Sequence, residues 1–176
     1  RVRYGLLCNE DGGVVDDVAL AEALADAVAA NLANGIRTRG MGILAVSGGS
    51  TPKRFFKALS TRKLDWENVI VTLVDERWVD SSSDRSNAKL VCDNLLQNEA
   101  RNAAFVSLWS GGERPDADAI KRTNAALKNL ASPFDAVILG MGNDGHTASF
   151  FPGGDTLQNA LTARGPAISL NAVDAG

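Results

Sequence analysis

Cysteine is scarce in this sequence, with only Cys8 and Cys92 among 176 residues. Each lies in an apolar stretch, so two buried free thiols are expected, not the disulfide framework of a small secreted domain, and a reducing cytoplasm fits. Histidine is scarcer still, since His146 stands alone. Without a second histidine or a cysteine pair, the chain lacks the soft ligands of a transition-metal site, and no metal is expected. No apolar run approaches the ~20 residues that a membrane-spanning helix needs. The opening Arg1-Val2-Arg3-Tyr4 leads into a strand-like run and not into a signal peptide, and the missing initiator methionine suggests a trimmed or processed chain. Basic charge is not in excess either: 18 Lys and Arg stand against 21 Asp and Glu, a net charge of -3. A basic footprint for nucleic acid is therefore absent, and no nucleic-acid or membrane partner is expected. Repeats and low-complexity segments are also missing.

What is present is an ordinary globular composition, 45% apolar and 22% charged, in a chain long enough for one domain with a real core. Apolar runs of strand length occur at Tyr4–Cys8, Ile43–Val46, Val69–Val74, Ala104–Leu108, Ala136–Leu139 and Ala167–Leu170. Between them lie helical patterns. The clearest runs from about Asp16 to Leu32, with Val18, Ala21, Ala25, Val28 and Leu32 at helical spacing and Gly35 as its stop. Others begin near Thr51, Ser86, Asp116 and Thr156. Continuous apolar strands alternating with helices predict a doubly wound, Rossmann-like α/β domain, with a mainly parallel sheet and helices on both faces. The loop Ser110–Pro115 is too short to mark a domain boundary, so residues 1–176 read as one domain. In such sheets ligands bind beyond the carboxyl ends of the strands, and three segments there carry chemistry.

The first is Ser47-Gly48-Gly49-Ser50-Thr51-Pro52, with the proline placed like the first residue of a helix. Gly48 and Gly49 let the backbone approach an anion, Ser50 and Thr51 add hydroxyls, and the helix offers unpaired N–H groups, a combination suited to phosphate. The plainer alternative is a tight turn with a Ser or Thr helix cap. The second is Asp75-Glu76-Arg77-Trp78. Here the guanidinium of Arg77 can grip phosphate while Asp75 orients it or accepts sugar hydroxyls. A mutual Asp–Arg pair on a solvated loop is the alternative, and Trp78 reads as packing. The third is Gly140-Met141-Gly142-Asn143-Asp144-Gly145-His146-Thr147-Ala148-Ser149. Its glycines match the dinucleotide pattern Gly-x-Gly-x-x-Gly. Against a nucleotide, it follows the fifth expected strand, no carboxylate ends the next strand, and titratable side chains occupy the loop. A lone histidine is more often structural than catalytic, but a glycine-rich loop at a strand's carboxyl end turns His146 into a candidate general base.

Taken together and in this order, the three segments resemble the glucosamine-6-phosphate isomerase/6-phosphogluconolactonase family over roughly Tyr4 to Pro152. Arg85-Ser86-Asn87 resembles its lactonase branch and adds Asn87 as a binding candidate. The run Gly142-Asn143-Asp144-Gly145-His146 followed by Thr147-Ala148-Ser149-Phe150-Phe151-Pro152 also favours that branch over the deaminases. The resemblance implies hydrolysis of 6-phospho-D-glucono-1,5-lactone to 6-phosphogluconate in the oxidative pentose phosphate pathway, without metal or organic cofactor. Catalysis would fall to His146, with Asp144 orienting it or the water. Binding would fall to Gly48, Gly49, Ser50, Thr51, Asp75, Arg77, Asn87, Gly142, Asn143 and Gly145. The sole partner expected is the phosphosugar lactone, with a monomer favoured. Family members usually continue beyond the point matching Gly176, with more sheet and helix and a basic residue for the phosphate, so the chain is expected to lack a C-terminal part. Two rivals stay open: an amino-sugar-phosphate isomerase or deaminase using Asp75 on carbon, and a sugar-phosphate-binding module without catalysis. No helix-turn-helix segment points to a repressor. A nucleotide-dependent oxidoreductase rests on the glycine pattern alone.

Overall fold

The structure, a computed structural model, describes residues 17–130, 133–142, 145–154 and 157–170. The expected strand Tyr4–Cys8 lies outside them. Helix α1 spans Asp17–Arg39, strand β1 Gly42–Val46, α2 Lys53–Ser60, β2 Val69–Leu73 and α3 Asn87–Asn94. After these come β3 at Ala104–Val106, α4 at Ala117–Lys128, β4 at Ala136–Ile138 and α5 at Leu157–Thr162. The four strands pair in the order β3-β2-β1-β4, and every pairing is parallel.

Strand alternation sorts the apolar residues into two layers. Leu44, Val46, Val69, Val71 and Leu73 point toward a buried core shared with Ala25, Val28 and Leu32 of α1, Phe55, Phe56 and Leu59 of α2, and Val91 of α3. Ile43, Ala45 and Thr72 are buried on the other face. From β1 the chain steps outward to β2 and β3, then crosses back to place β4 on the far side of β1. Right-handed crossovers put α2 and α3 on one face and α4 on the other, which is the expected doubly wound arrangement. The direction of winding reverses between β1 and β4, so a crevice opens there at the strands' carboxyl ends.

Several boundaries differ from the sequence reading, each for a tertiary reason. Helix α1 runs past Gly35 to Arg39, and Gly40, at φ 79°, supplies the left-handed stop. Gly35 is instead a contact. A side chain there would collide with the carboxylate of Asp135, which accepts hydrogen bonds from Ile43 N, at 2.8 Å, and from Arg39. Gly35→Ala should therefore lose about 1–3 kcal/mol by overpacking, more than the ~1 kcal/mol that alanine gains in a helix. A urea melt reads the balance, and a stabilised variant would contradict it.

The run Ala167–Leu170 is not a strand. The Asn124 side chain exchanges two hydrogen bonds with the backbone of Ala167, at 2.8 and 3.0 Å, in place of a strand neighbour. Cys92 is exposed, not buried, because it lies one residue round the helix from Val91, which faces the core. Cys8 lies outside the described residues. Among the described residues, no helix is long and apolar enough to cross a membrane.

Candidate active site

All three strand-end segments reach the crevice at the β1–β4 switch. It is a cleft of about 650 Å³ lined by Ser47 to Pro52, Asp75, Arg77, Asn87, Gly140 to Gly142, His146 and Ala148. Gly145 is described but is not among the lining residues, and Asn143 and Asp144 lie outside the described residues.

On the first wall, the alternatives for the glycine loop can be told apart. Helix α2 has no side-chain cap: Pro52 occupies the capping position itself, one place earlier than expected, with helical dihedrals. The hydroxyls of Ser50 and Thr51 are therefore not spent on capping the helix. Gly49 has φ 94°, a left-handed conformation that favours glycine. Gly48 is needed for a different reason, because a Cβ there would occupy the space of the Asn87 amide. Gly48→Ala should displace Asn87 and destabilise the fold by about 1–3 kcal/mol. Denaturant unfolding measures that cost, and a neutral substitution would show that Asn87 can move freely.

On the second wall, the mutual Asp–Arg pair does not form. Asp75 Oδ2 accepts a hydrogen bond from Ser149 Oγ at 2.8 Å, which ties the second segment to the third. Arg77 forms no ion pair among the described residues. Its Nη1 instead donates to Asn87 Oδ1 at 2.8 Å and to the Arg85 carbonyl at 3.2 Å, while Asn87 Nδ2 donates to the Asp75 carbonyl at 3.0 Å. A guanidinium held by neutral acceptors keeps its full charge for an anion in the cleft. Trp78 does not line the cleft; its Nε1 donates to the Gly112 carbonyl at 3.1 Å, in keeping with a packing role.

The third wall folds on itself. Gly142 N donates to the His146 carbonyl at 2.8 Å, Gly145 N donates to the Gly142 carbonyl at 2.9 Å, and Thr147 Oγ1 donates to the Gly140 carbonyl at 2.8 Å. Gly145 takes φ 85°, and Ala148, which lines the cleft, takes φ 49°, a conformation that costs a residue with a side chain energy. The His146 ring lies against Phe151 with centroids 4.4 Å apart.

Two charged residues of the lining were not singled out from the sequence. Arg54 sits in the first turn of α2 and Asp17 at the start of α1, with Arg54 Nη1 3.8 Å from Asp17 Oδ2. Both side chains are largely exposed, so the pair is weak. The signal for Arg54 was there to read: a residue two places after Pro52 falls on the helix turn that follows the glycine loop.

Comparison with known proteins agrees with the fold. Residues 15–170 match the family of glucosamine-6-phosphate isomerases/6-phosphogluconolactonase. A 6-phosphogluconolactonase of Rhizobium meliloti is 55% identical over 161 residues, which cover 90% of this chain and 68% of that protein. One from Mesorhizobium japonicum is 53% identical, over 86% of this chain and 63% of that protein. The crystal structure of a 6-phosphogluconolactonase from Shewanella baltica superposes with a TM-score of 0.88 at 43% identity, covering 92% of this chain and 69% of that one. The chain thus spans roughly two thirds of the length of these relatives. It belongs to the glucosamine-6-phosphate isomerase/6-phosphogluconolactonase family.

Proposed function

We propose that the protein is a 6-phosphogluconolactonase, hydrolysing 6-phospho-D-glucono-1,5-lactone to 6-phosphogluconate in the oxidative pentose phosphate pathway. The observation that carries this reading is the convergence on one cleft of the uncapped glycine loop, Arg77 without a carboxylate partner among the described residues, and the chain's single histidine. The two relatives at 53 and 55% identity, both named 6-phosphogluconolactonase, support it. A cytoplasmic monomer acting on a small phosphosugar, with no cofactor, fits the same reading.

Lactone hydrolysis transfers an acyl group to water. His146 takes a proton from water as its oxygen attacks the lactone carbonyl, and a tetrahedral oxyanion forms. Backbone N–H groups of the glycine-rich loop, other than those of Gly142 and Gly145 that bond within it, are the candidates to receive that charge. The oxyanion then collapses, the bond from the carbonyl carbon to the ring oxygen breaks, and His146 returns its proton to the departing oxygen. One water is consumed and the histidine is restored. Asp144 would orient the imidazole or the water.

The phosphate is remote from the reacting carbon, so the backbone and hydroxyls of Gly48, Gly49, Ser50 and Thr51, with Arg77, act by positioning the lactone. Asp75, Asn87, Gly142, Asn143 and Gly145 would complete the binding surface. The test follows disappearance of freshly made lactone, coupled to the next dehydrogenase, above the spontaneous rate. Acceleration supports the assignment. Ammonia release from glucosamine 6-phosphate, or tight binding without turnover, would replace it with one of its rivals.

A further inference from the structure

Glu76 stands between Asp75 and Arg77 yet does not line the cleft. Both of its carboxylate oxygens are engaged. Oε1 accepts from the backbone N–H of Arg77 and of Asn87, each at 2.8 Å. Oε2 accepts from Ala88 N at 2.8 Å and from Ser86 Oγ at 3.1 Å. The first N–H groups of a helix have no partner within it. Here α3 has its Asn87 and Ala88 groups satisfied from eleven and twelve residues upstream, while Ser86 Oγ accepts from Lys89 N as a local cap. A carboxylate at this end also meets the positive pole of the helix.

The local cap satisfies Lys89 N alone. What Glu76 adds is a direct link between the end of β2 and the start of α3, the two segments that carry Arg77 and Asn87. Asn87 is 2% exposed, fills the space left by Gly48, and accepts from Arg77 Nη1. One carboxylate thus holds the backbone on both sides of the Arg77–Asn87 contact. We propose that Glu76 is a positioning residue for phosphate recognition: without touching substrate, it sets the distance and angle between Arg77 and Asn87, and so the direction in which the guanidinium meets the phosphate. This rests on the lactonase reading for the identity of the ligand.

The experiment is a double-mutant cycle between Glu76→Gln and Arg77→Ala in the full chain. The readouts are 6-phosphogluconate affinity by calorimetry and KM and kcat for the lactone. Glutamine keeps the shape but turns an NH2 group toward backbone donors. Glu76→Gln is expected to weaken 6-phosphogluconate about tenfold, through a misplaced guanidinium, and to raise KM more than it lowers kcat. In the Arg77→Ala background the same change should have almost no further effect on affinity, because the group it positions is gone. A purely structural Glu76 would give equal losses in both backgrounds, which overturns the proposal. Should Glu76→Gln fail to fold, Glu76→Asp carries the test, with a smaller loss that again vanishes without Arg77. Wild type that binds 6-phosphogluconate without hydrolysing the lactone overturns the enzymatic reading alone, and the cycle in affinity still decides the role of Glu76.

Discussion

His146→Ala should lower kcat for the phosphorylated lactone by about 10²- to 10⁴-fold, the range for removal of a general base, while leaving 6-phosphogluconate affinity within about threefold of wild type. The separation is expected because the groups proposed for phosphate lie on the other two walls, in the Ser47–Pro52 loop and around Arg77. The imidazole also has a structural contact, its packing on Phe151. A thermal melt of the variant therefore belongs beside the kinetics, so that a fold loosened at the third loop is not mistaken for lost chemistry. A variant that stays folded and binds product but no longer beats the spontaneous rate establishes His146 as the base. One that retains full activity removes it from the mechanism and turns attention to the carboxylates.

The sheet was legible because parallel strands are continuous apolar runs, and Ile43–Val46, Val69–Val74, Ala104–Leu108 and Ala136–Leu139 each contain or nearly match a strand of the structure. An apolar run does not by itself make a strand, however. Ala167–Leu170 reads the same way, but among the described residues its ladder is replaced by a single asparagine side chain. Gly35 misled for a related reason. As a local signal glycine stops a helix, yet here it makes room for Asp135, a residue one hundred positions later whose approach no spacing announces.

The cleft was legible to the extent that its residues sit directly after strands. Ser47 to Thr51, Asp75 and Arg77 do, His146 lies further along the loop that leaves β4, and the topology gathers them. The hidden part is the support between segments. Nothing in the sequence tells that Gly48 yields its space to Asn87, or that Asp75 turns to Ser149 and away from its neighbour Arg77. Glu76 was visible only as one of three charges in a row, because three of its four partners are backbone N–H groups, two of them on α3, which carry no side-chain signature.

Arg77→Ala carries the second large expectation. Charge-assisted hydrogen bonds to a phosphate are worth about 1.5–3 kcal/mol, so the variant should bind 6-phosphogluconate roughly 10- to 150-fold more weakly. KM should rise by a similar factor, and kcat should fall as well, because the phosphate holds the lactone in place for a reaction at a distant carbon. Glucono-1,5-lactone without the phosphate separates these effects, since its turnover gains nothing from Arg77 and should be far less affected. Arg77→Lys refines the result. A lysine restores the charge but not the fork, in which one nitrogen bonds Asn87 Oδ1 and the Arg85 carbonyl and further donors remain for a phosphate, so it should recover only part of the affinity. Unchanged phosphate affinity in Arg77→Ala, with a lowered melting temperature, would instead make the guanidinium a tether between the β2 end and α3 and leave the glycine loop to bind the phosphate by itself.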